Sequence, residues 1–142
     1  MKRRFFSSFA ILTAFTAVMM FSGCGNNIAE RLDAAREVEA QNIGHWDTTF
    51  RFEVIDLDDN ALAWYVSTNK NIVGDALLYV GLIAGDVGAF GLFVTEVNGV
   101  AANFAANNTW WAFFIDGEMA MTGVDVTNIE QGRTYAFVLT SG

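Results

Sequence analysis

Residues 48–66, TTFRFEVIDLDDNALAWYV, carry the pattern that decides the fold. Apolar side chains occupy every second position on each side of an acidic turn at 56–60, which predicts two half-buried strands joined as a hairpin. The alternating residues are Phe50, Phe52 and Val54 before the turn, and Leu62, Trp64 and Val66 after it.

One helix is predicted after this hairpin, over residues 71–84. Asn71 is suited to cap the first turn, and Gly85 is suited to end the last one. Helical spacing places four apolar residues on one face: Ala76, Leu77, Val80 and Ile83. We expect this face to cover a sheet.

Two Xaa-Gly pairs predict further bends. Asn98-Gly99 follows a predicted strand over 92–97, and Asp116-Gly117 follows another over 110–115; both pairs suit a turn with positive φ. A last strand is predicted over 135–139. The order strand, strand, helix and then several short strands indicates an α+β fold, a β-grasp-like roll of mainly antiparallel strands with one covering helix.

The start of the chain predicts a targeting segment. Basic residues at 2–4 precede an apolar run over 5–21, and small residues follow, as in a secretory signal peptide. The tetrapeptide FSGC at 21–24 resembles the lipobox of bacterial lipoproteins. We therefore expect a signal peptide over 1–23, lipidation at Cys24 and an extracytoplasmic, lipid-anchored location at a bacterial cell membrane. An uncleaved anchor, or a signal peptide with an incidental Cys, is the alternative.

Residues 24–46 predict a tether that contains a short helix. Asn27 is suited to cap a helix that starts at Ile28, but its apolar stripe is thin. We expect a solvated spacer helix rather than a core element, followed by the folded domain over 47–142.

Composition and charge exclude several classes of function. The 142 residues suffice for one domain, and past Cys24 five basic side chains face sixteen acidic ones, a net charge of −11 that argues against nucleic acid as a partner. One Cys and one His leave no basis for a disulfide framework or a His/Cys metal site. We expect no enzyme activity, no metal and no cofactor.

An acidic run between the first two predicted strands could be a calcium-binding loop. Asp56, Asp58 and Asp59 are closely spaced, but the run lacks the Gly and the distal Glu of an EF-hand loop. We interpret it as an ordinary hairpin turn.

Several runs along the chain resemble the DUF4430 family, a domain of unknown function found in bacterial surface proteins and related to the C-terminal domain of transcobalamin and intrinsic factor. The runs are GLFVTEVNGV at 91–100, TWWAFFIDG at 109–117, TGVD at 122–125 and IEQG at 129–132. The resemblance covers about residues 47–140 and implies a β-grasp fold of the soluble-ligand-binding kind.

The resemblance also implies a ligand. In the vitamin carriers this domain is one half of a clamp on cobalamin, and the sequence shows no counterpart of the helical barrel that forms the other half. Half a clamp buries less ligand surface, so we expect weaker binding. Arg133 stands where the family usually has Asp, so the turn after Gly132 must be held by other contacts.

Candidate ligand-binding residues come from two sources. By its position in the family, the loop 117–123 approaches the ligand, which points to Met119, Met121, Thr122 and Gly123. The alternative is that Met119 and Met121 continue a hairpin strand, with one of them in the core. Aromatic residues of the strands supply the second group, an exposed platform formed by Trp110, Trp64 and Tyr65, while Trp111 is expected to be structural.

These observations predict a membrane-anchored extracytoplasmic module that binds a small soluble ligand, with cobalamin or another corrinoid as the first candidate. The alternative is a cell-surface protein-interaction or adhesion module without a small-molecule ligand. Such a module would dock through its aromatic face or a sheet edge.

Overall fold

The computed structural model describes residues 27–142, so the predicted signal peptide and Cys24 lie outside the described residues. The helices are α1 (Ile28–Arg36), α2 (Val73–Tyr79), α3 (Phe104–Asn107) and a short 3₁₀ helix (Val124–Val126). The strands are β1 (Ala40–Gly44), β2 (Thr48–Ile55), β3 (Ala61–Thr68), β4 (Ile83–Gly88), β5 (Gly91–Val97), β6 (Val100–Ala101), β7 (Thr109–Ile115), β8 (Glu118–Met119) and β9 (Thr134–Ser141). Among these helices, none has the length and apolar character that a membrane span requires.

The described residues form a six-stranded sheet in the order β1-β3-β2-β9-β7-β8 and a three-stranded sheet in the order β4-β5-β6. β2 and β3 are the predicted hairpin, paired antiparallel from Thr48↔Thr68 to Ile55↔Ala61. β2 also pairs with β9, in parallel, at the centre of the larger sheet. A hairpin, a helix and a returning strand parallel to the first are the β-grasp arrangement, so the predicted α+β class is confirmed.

α2 is shorter than predicted. It begins after Ile72, which makes no side-chain capping bond, and ends at Tyr79, because Gly81 at φ 76° turns the chain back. Ile83 then enters β4 and pairs with Val97. Strand pairing satisfies backbone groups that a longer helix would have satisfied internally, so the predicted helix end at 84 is wrong.

Both predicted bends are confirmed. Asn98 and Gly99 have φ values of 49° and 77°, and Asp116 and Gly117 have φ values of 49° and 84°. These left-handed pairs join β5 to β6 and β7 to β8 in antiparallel hairpins.

Apolar clusters lie on both faces of the larger sheet. The face toward α2 and the smaller sheet buries the larger cluster, which includes Phe50, Phe52, Val66, Leu77, Val97, Tyr135 and Phe137. Leu77 and Val97 are fully buried there. Each such side chain stabilises the fold by about 1.5–3 kcal/mol.

The opposite face is covered by α1, which was predicted to be a solvated spacer helix. Leu32 and Ala35 are buried against this face, in a cluster with Ile55, Phe114, Ala136 and Val138. β1 pairs in parallel with β3 and belongs to the sheet. The spacer interpretation is wrong because the sheet presents a second apolar face, against which two buried side chains suffice to dock a short helix. The folded unit therefore includes residues before position 47.

Candidate ligand-binding site

The predicted aromatic platform is split between the two faces of the sheet. Trp64 is 8% exposed and packs 6.0 Å from the ring of Phe52 in the larger cluster. Tyr65, its neighbour, is 43% exposed on the opposite face, with the guanidinium of Arg51 5.7 Å from its ring centroid. The prediction that Trp64 is exposed is wrong, because strand alternation directs it to the same face as Phe52.

Trp110 and Trp111 show the same alternation on β7. Trp110 is half-buried at the α1 face and meets Phe104 edge-on at 6.0 Å. Trp111 is buried, and its Nε1 donates a hydrogen bond of 3.0 Å to the carbonyl oxygen of Val100. Trp111 thus joins the two sheets and is structural, as expected.

Both predicted methionines are exposed. Met119 lies opposite Phe114 on β8, and Met121 follows in the segment that leads to the 3₁₀ helix. The alternative that one of them is in the core is therefore wrong. The two side chains add apolar, adaptable surface to this edge of the fold.

Thr122 and Gly123 begin a small loop closed by hydrogen bonds. The hydroxyls of Thr122 and Thr127 are 3.0 Å apart, and Thr127 Oγ1 donates to the carbonyl oxygen of Gly123 at 2.7 Å. These hydrogen bonds close the loop 122–127, and Met121 directly precedes it.

Asp125 anchors this loop to the turn between β4 and β5. Its Oδ2 accepts the backbone N–H of Leu92 at 3.1 Å, and Gly91 lies so close that a Cβ would collide with the same carboxylate. Gly91 also has φ 98°, which only glycine adopts readily. The loop with the predicted site residues therefore lies beside the β4–β5 turn.

The β4–β5 hairpin carries exposed apolar residues that sequence reasoning missed. Phe90 at the turn is fully exposed, and Val87 and Phe93 on the strands are largely exposed. We use the name hairpin-tip surface for these residues and two exposed residues around the anchored loop: Val87, Phe90, Phe93, Met121 and Val126. Because Val87 pairs with Leu92 and Phe93 pairs with Asp86, Val87 and Phe93 lie on opposite faces of the hairpin. The only signal in the sequence was an aromatic residue inside a Gly-flanked turn, GAFG at 88–91.

The chemistry of the hairpin-tip surface suits an apolar or flat ligand. Aromatic rings supply contact area at low entropic cost, and Met121 adapts to irregular shapes. Large apolar side chains as exposed as Phe90 and Met121 are candidates for contact with a ligand or another protein. Within residues 27–142, no group of three or more His, Cys, Asp or Glu side chains is placed to hold a metal ion.

The acidic turn is occupied by its own hydrogen bonds. Asp56 Oδ1 accepts the backbone N–H groups of Asp58 and Asn60, each at 2.9 Å. Asp59 Oδ1 lies 2.6 Å from Arg31 Nε of α1. These contacts agree with the interpretation as a hairpin turn rather than a calcium loop.

A shallow open depression lies beside α2. Its volume is about 370 Å³, and it is lined by Lys70, Asp75, Leu78 and Tyr79. Lys70 Nζ lies 5.0 Å from the centroid of the Tyr79 ring. Because it is open and carries both charge signs, it does not provide the enclosed apolar lining typical of ligand pockets.

Arg133 holds the turn before β9. Its Nε lies 3.1 Å from Asp116 Oδ2, and its Nη2 lies 2.8 Å from Glu130 Oε2. Next to it, the Tyr135 hydroxyl accepts the backbone N–H of Glu130 and donates to Asn128 O; burial raises the Tyr135 pKa. Although Arg133 replaces the Asp that the family usually has here, its two ion pairs hold this turn in place.

The fold and surface define a class, a small α+β domain of the β-grasp type with an exposed apolar tip. The chain belongs to the DUF4430 family, a domain of unknown function whose model matches residues 68–140. No curated protein matches the sequence.

Solved structures with a similar fold include two described proteins. A candidate metal-binding protein from Ruminococcus gnavus ATCC 29149 is 26% identical with a TM-score of 0.64, and the match covers 68% of this chain and 99% of that one. Haptocorrin in complex with Cbi is 16% identical with a TM-score of 0.54, and the match covers 70% of this chain but 27% of haptocorrin. The relation to the transcobalamin type of domain, predicted from the sequence, is confirmed at the level of fold.

Proposed function

We propose that this protein is a non-enzymatic binding module for a small soluble ligand of the corrinoid class, held outside the cytoplasm by a lipid on Cys24. The observation that carries the proposal is the hairpin-tip surface. It places exposed aromatic residues beside the loop that the family resemblance assigns to the ligand.

The haptocorrin structure supports the choice of ligand class. Haptocorrin was solved with Cbi bound, and this chain shares the fold of about a quarter of it, 27%. A single domain offers one contact face, so the affinity for a corrinoid should be lower than that of a two-sided clamp. The flat ring system of a corrinoid suits contact with the exposed ring of Phe90 and the adaptable side chain of Met121.

A metal ion is a less favoured ligand for this chain. The Ruminococcus gnavus protein is described as a candidate metal-binding protein. The described residues of this chain contain no metal-binding cluster; in the acidic turn, the Asp56 carboxylate already accepts hydrogen bonds and the Asp59 carboxylate pairs with Arg31.

The proposal that the protein is not an enzyme rests on the buried acid Glu53, which has a structural ion-pair partner and no access to a substrate. Burial raises the pKa of the Glu53 carboxyl, but Glu53 lies under α1 and pairs with Arg51. A catalytic acid or base needs access to substrate, which a 1% exposed side chain lacks.

Isothermal titration of the full-length chain with cyanocobalamin tests the ligand. The chain is kept in mild detergent because of its apolar N-terminal run. We expect saturable binding that weakens by at least about tenfold in a Phe90→Ser/Met121→Ser double variant, since two apolar contacts are lost. Tyr79→Ser, which alters an exposed aromatic residue on α2, is the matched control and should bind normally. No binding by the folded wild type, or equal weakening in both variants, would reject the proposal.

The lipid anchor is tested separately. In bacterial cells we expect the wild-type chain in the membrane fraction, with the mass of a lipidated Cys24 after cleavage at 23/24. Cys24→Ser should abolish both the mass increase and the cleavage. An unmodified Cys24 in the membrane-bound wild type would contradict this part of the proposal.

The second candidate function is a protein-interaction module. The same exposed residues Phe90 and Phe93 favour it, because exposed aromatic residues are enriched in protein interfaces. The cobalamin titration separates the two functions, since an interaction module gives no heat with cobalamin.

A further inference from the structure

The outer edge of β4 has no partner strand among the described residues. In the order β4-β5-β6, β4 pairs on one side only, with β5. Asp86, Val87 and Gly88 at its far end are exposed. An unpaired strand edge presents backbone N–H and C=O groups that can accept another strand.

This edge lacks most of the features that protect natural sheet edges. A bulge between Ala84 and Gly85 interrupts the strand, but residues 86–88 beyond it contain neither Lys nor Pro. β6 and β8 are edges of two residues each. The remaining long edge, β1, carries polar side chains at Gln41 and Asn42 and no exposed large apolar residue.

The open edge of β4 presents an apolar side chain, Val87, on one face and a carboxylate, Asp86, on the other. Val87 lies opposite Leu92, and Asp86 lies opposite Phe93. A strand added beside β4 would place one side chain next to Val87 and the following one next to Asp86, on opposite faces. The addition would remove part of Val87 from water.

The acidic side chains around this edge favour a partner segment that carries basic side chains. Residues 71–132, which include the whole three-stranded sheet, contain seven acidic side chains and no Lys, Arg or His. A second copy of the chain would bring another acidic strand, and like charges directly opposite each other destabilise strand pairing. Basic side chains would be complementary.

We propose that β4 binds an extended segment of a partner protein in which apolar residues alternate with Lys or Arg, added as a fourth strand to the smaller sheet. The backbone of Asp86–Gly88 provides the hydrogen bonds, Val87 provides the apolar contact, and Asp86 provides the charge pair. This proposal does not depend on a corrinoid ligand.

The test uses NMR amide shifts of the full-length ¹⁵N-labelled chain. It is titrated with two synthetic peptides, TVKVKVT and TVEVEVT, blocked at both ends. We expect shifts centred on 83–88 with the basic peptide, and an affinity at least about tenfold lower for the acidic one. Asp86→Lys should reverse this preference. Asp58→Lys, which changes an exposed acid in the β2–β3 turn, is the matched control and should not.

Several outcomes would overturn the proposal. Shifts spread over the acidic surface, or centred on β1, would indicate general charge attraction or another edge. An unchanged preference in Asp86→Lys would remove Asp86 from the interaction. Dimerisation that protects the β4 amides would make a second copy the occupant. The Phe90→Ser/Met121→Ser variant should still bind the basic peptide, so loss of cobalamin binding and loss of peptide binding are distinguishable.

Discussion

Arg51 Nε lies 2.9 Å from Glu53 Oε2 on the face of β2 that α1 covers. Glu53 is 1% exposed, so its carboxylate depends on this guanidinium for its charge partner. Arg51 Nη2 also donates to the carbonyl oxygens of Ala35 and Val38, at 3.0 and 2.7 Å. One side chain thus neutralises a buried acid and satisfies carbonyl groups at the C-terminal end of α1.

Replacing Arg51 should destabilise the fold strongly. We expect Arg51→Met to lower the free energy of unfolding by about 3–5 kcal/mol, because it leaves a buried carboxylate and carbonyl groups unpaired. Arg36→Met is the control, since the Arg36–Asp33 pair at 3.5 Å is exposed; its cost should be at most about 1 kcal/mol. Urea unfolding measures both. Equal losses would show that Arg51 has no special role.

Glu53 should make stability depend on pH in a defined direction. Burial raises its pKa, and the hydrogen bond and charge of Arg51, together with the charge of Arg36, oppose this effect without cancelling it. A carboxyl with a raised folded-state pKa contributes stability below its unfolded pKa, about 4.3, and loses the contribution as pH rises through the folded-state pKa. The stability of the wild type relative to Glu53→Gln should therefore fall as pH rises from about 4. A relative stability that increases over this range would mean that Arg51 outweighs burial.

A side chain at position 91 should destabilise the fold. Gly91→Ala forces a Cβ against the Asp125 carboxylate at a positive φ, which should cost about 1–3 kcal/mol and speed hydrogen exchange at Leu92 N–H. Gly88→Ala, at the other end of the same turn, has open space and should change stability by at most about 0.5 kcal/mol. Similar effects of the two substitutions would argue against the Gly91–Asp125 contact.

Replacement of Trp64 by Ala should destabilise the fold much more than replacement of its neighbour Tyr65. Trp64→Ala empties a site in the larger cluster and should cost about 3–5 kcal/mol. Tyr65→Ala removes a half-exposed ring and its contact with Arg51, at a cost of about 1 kcal/mol or less. Thermal unfolding of both variants provides the comparison. A small effect of Trp64→Ala would contradict its burial.

Local features of the chain were predictable because neighbouring residues determine them. Alternation over 48–66 predicts the β2–β3 hairpin, and Asn98-Gly99 and Asp116-Gly117 predict left-handed bends, since few other pairs adopt positive φ at both positions. The end of α2 was not predictable in this way. Helical spacing extends to Ile83, but the pairing of Ile83 with Val97 decides in favour of a strand.

The candidate site was predicted in part. The position of Met119–Gly123 in the family pattern predicts a site at the anchored loop, whereas Phe90 was not predictable as part of it, because Phe90 lies 35 residues before Asp125 in the chain. Only the contact between Leu92 N–H and Asp125 Oδ2 brings the two segments together.

By itself the sequence determined which residues alternate, where the chain turns and how acidic its surface is, because these properties depend on a few adjacent residues. The tertiary structure decided which side of each strand is buried. Alternation on β3 places Trp64 and Tyr65 on opposite faces, and the residues of α2 and the smaller sheet that pack on the face of Trp64, such as Leu77 and Val97, decide that this face holds the larger cluster. It also decided that α1 docks, since a thin apolar stripe is stable only against a matching apolar face of the sheet.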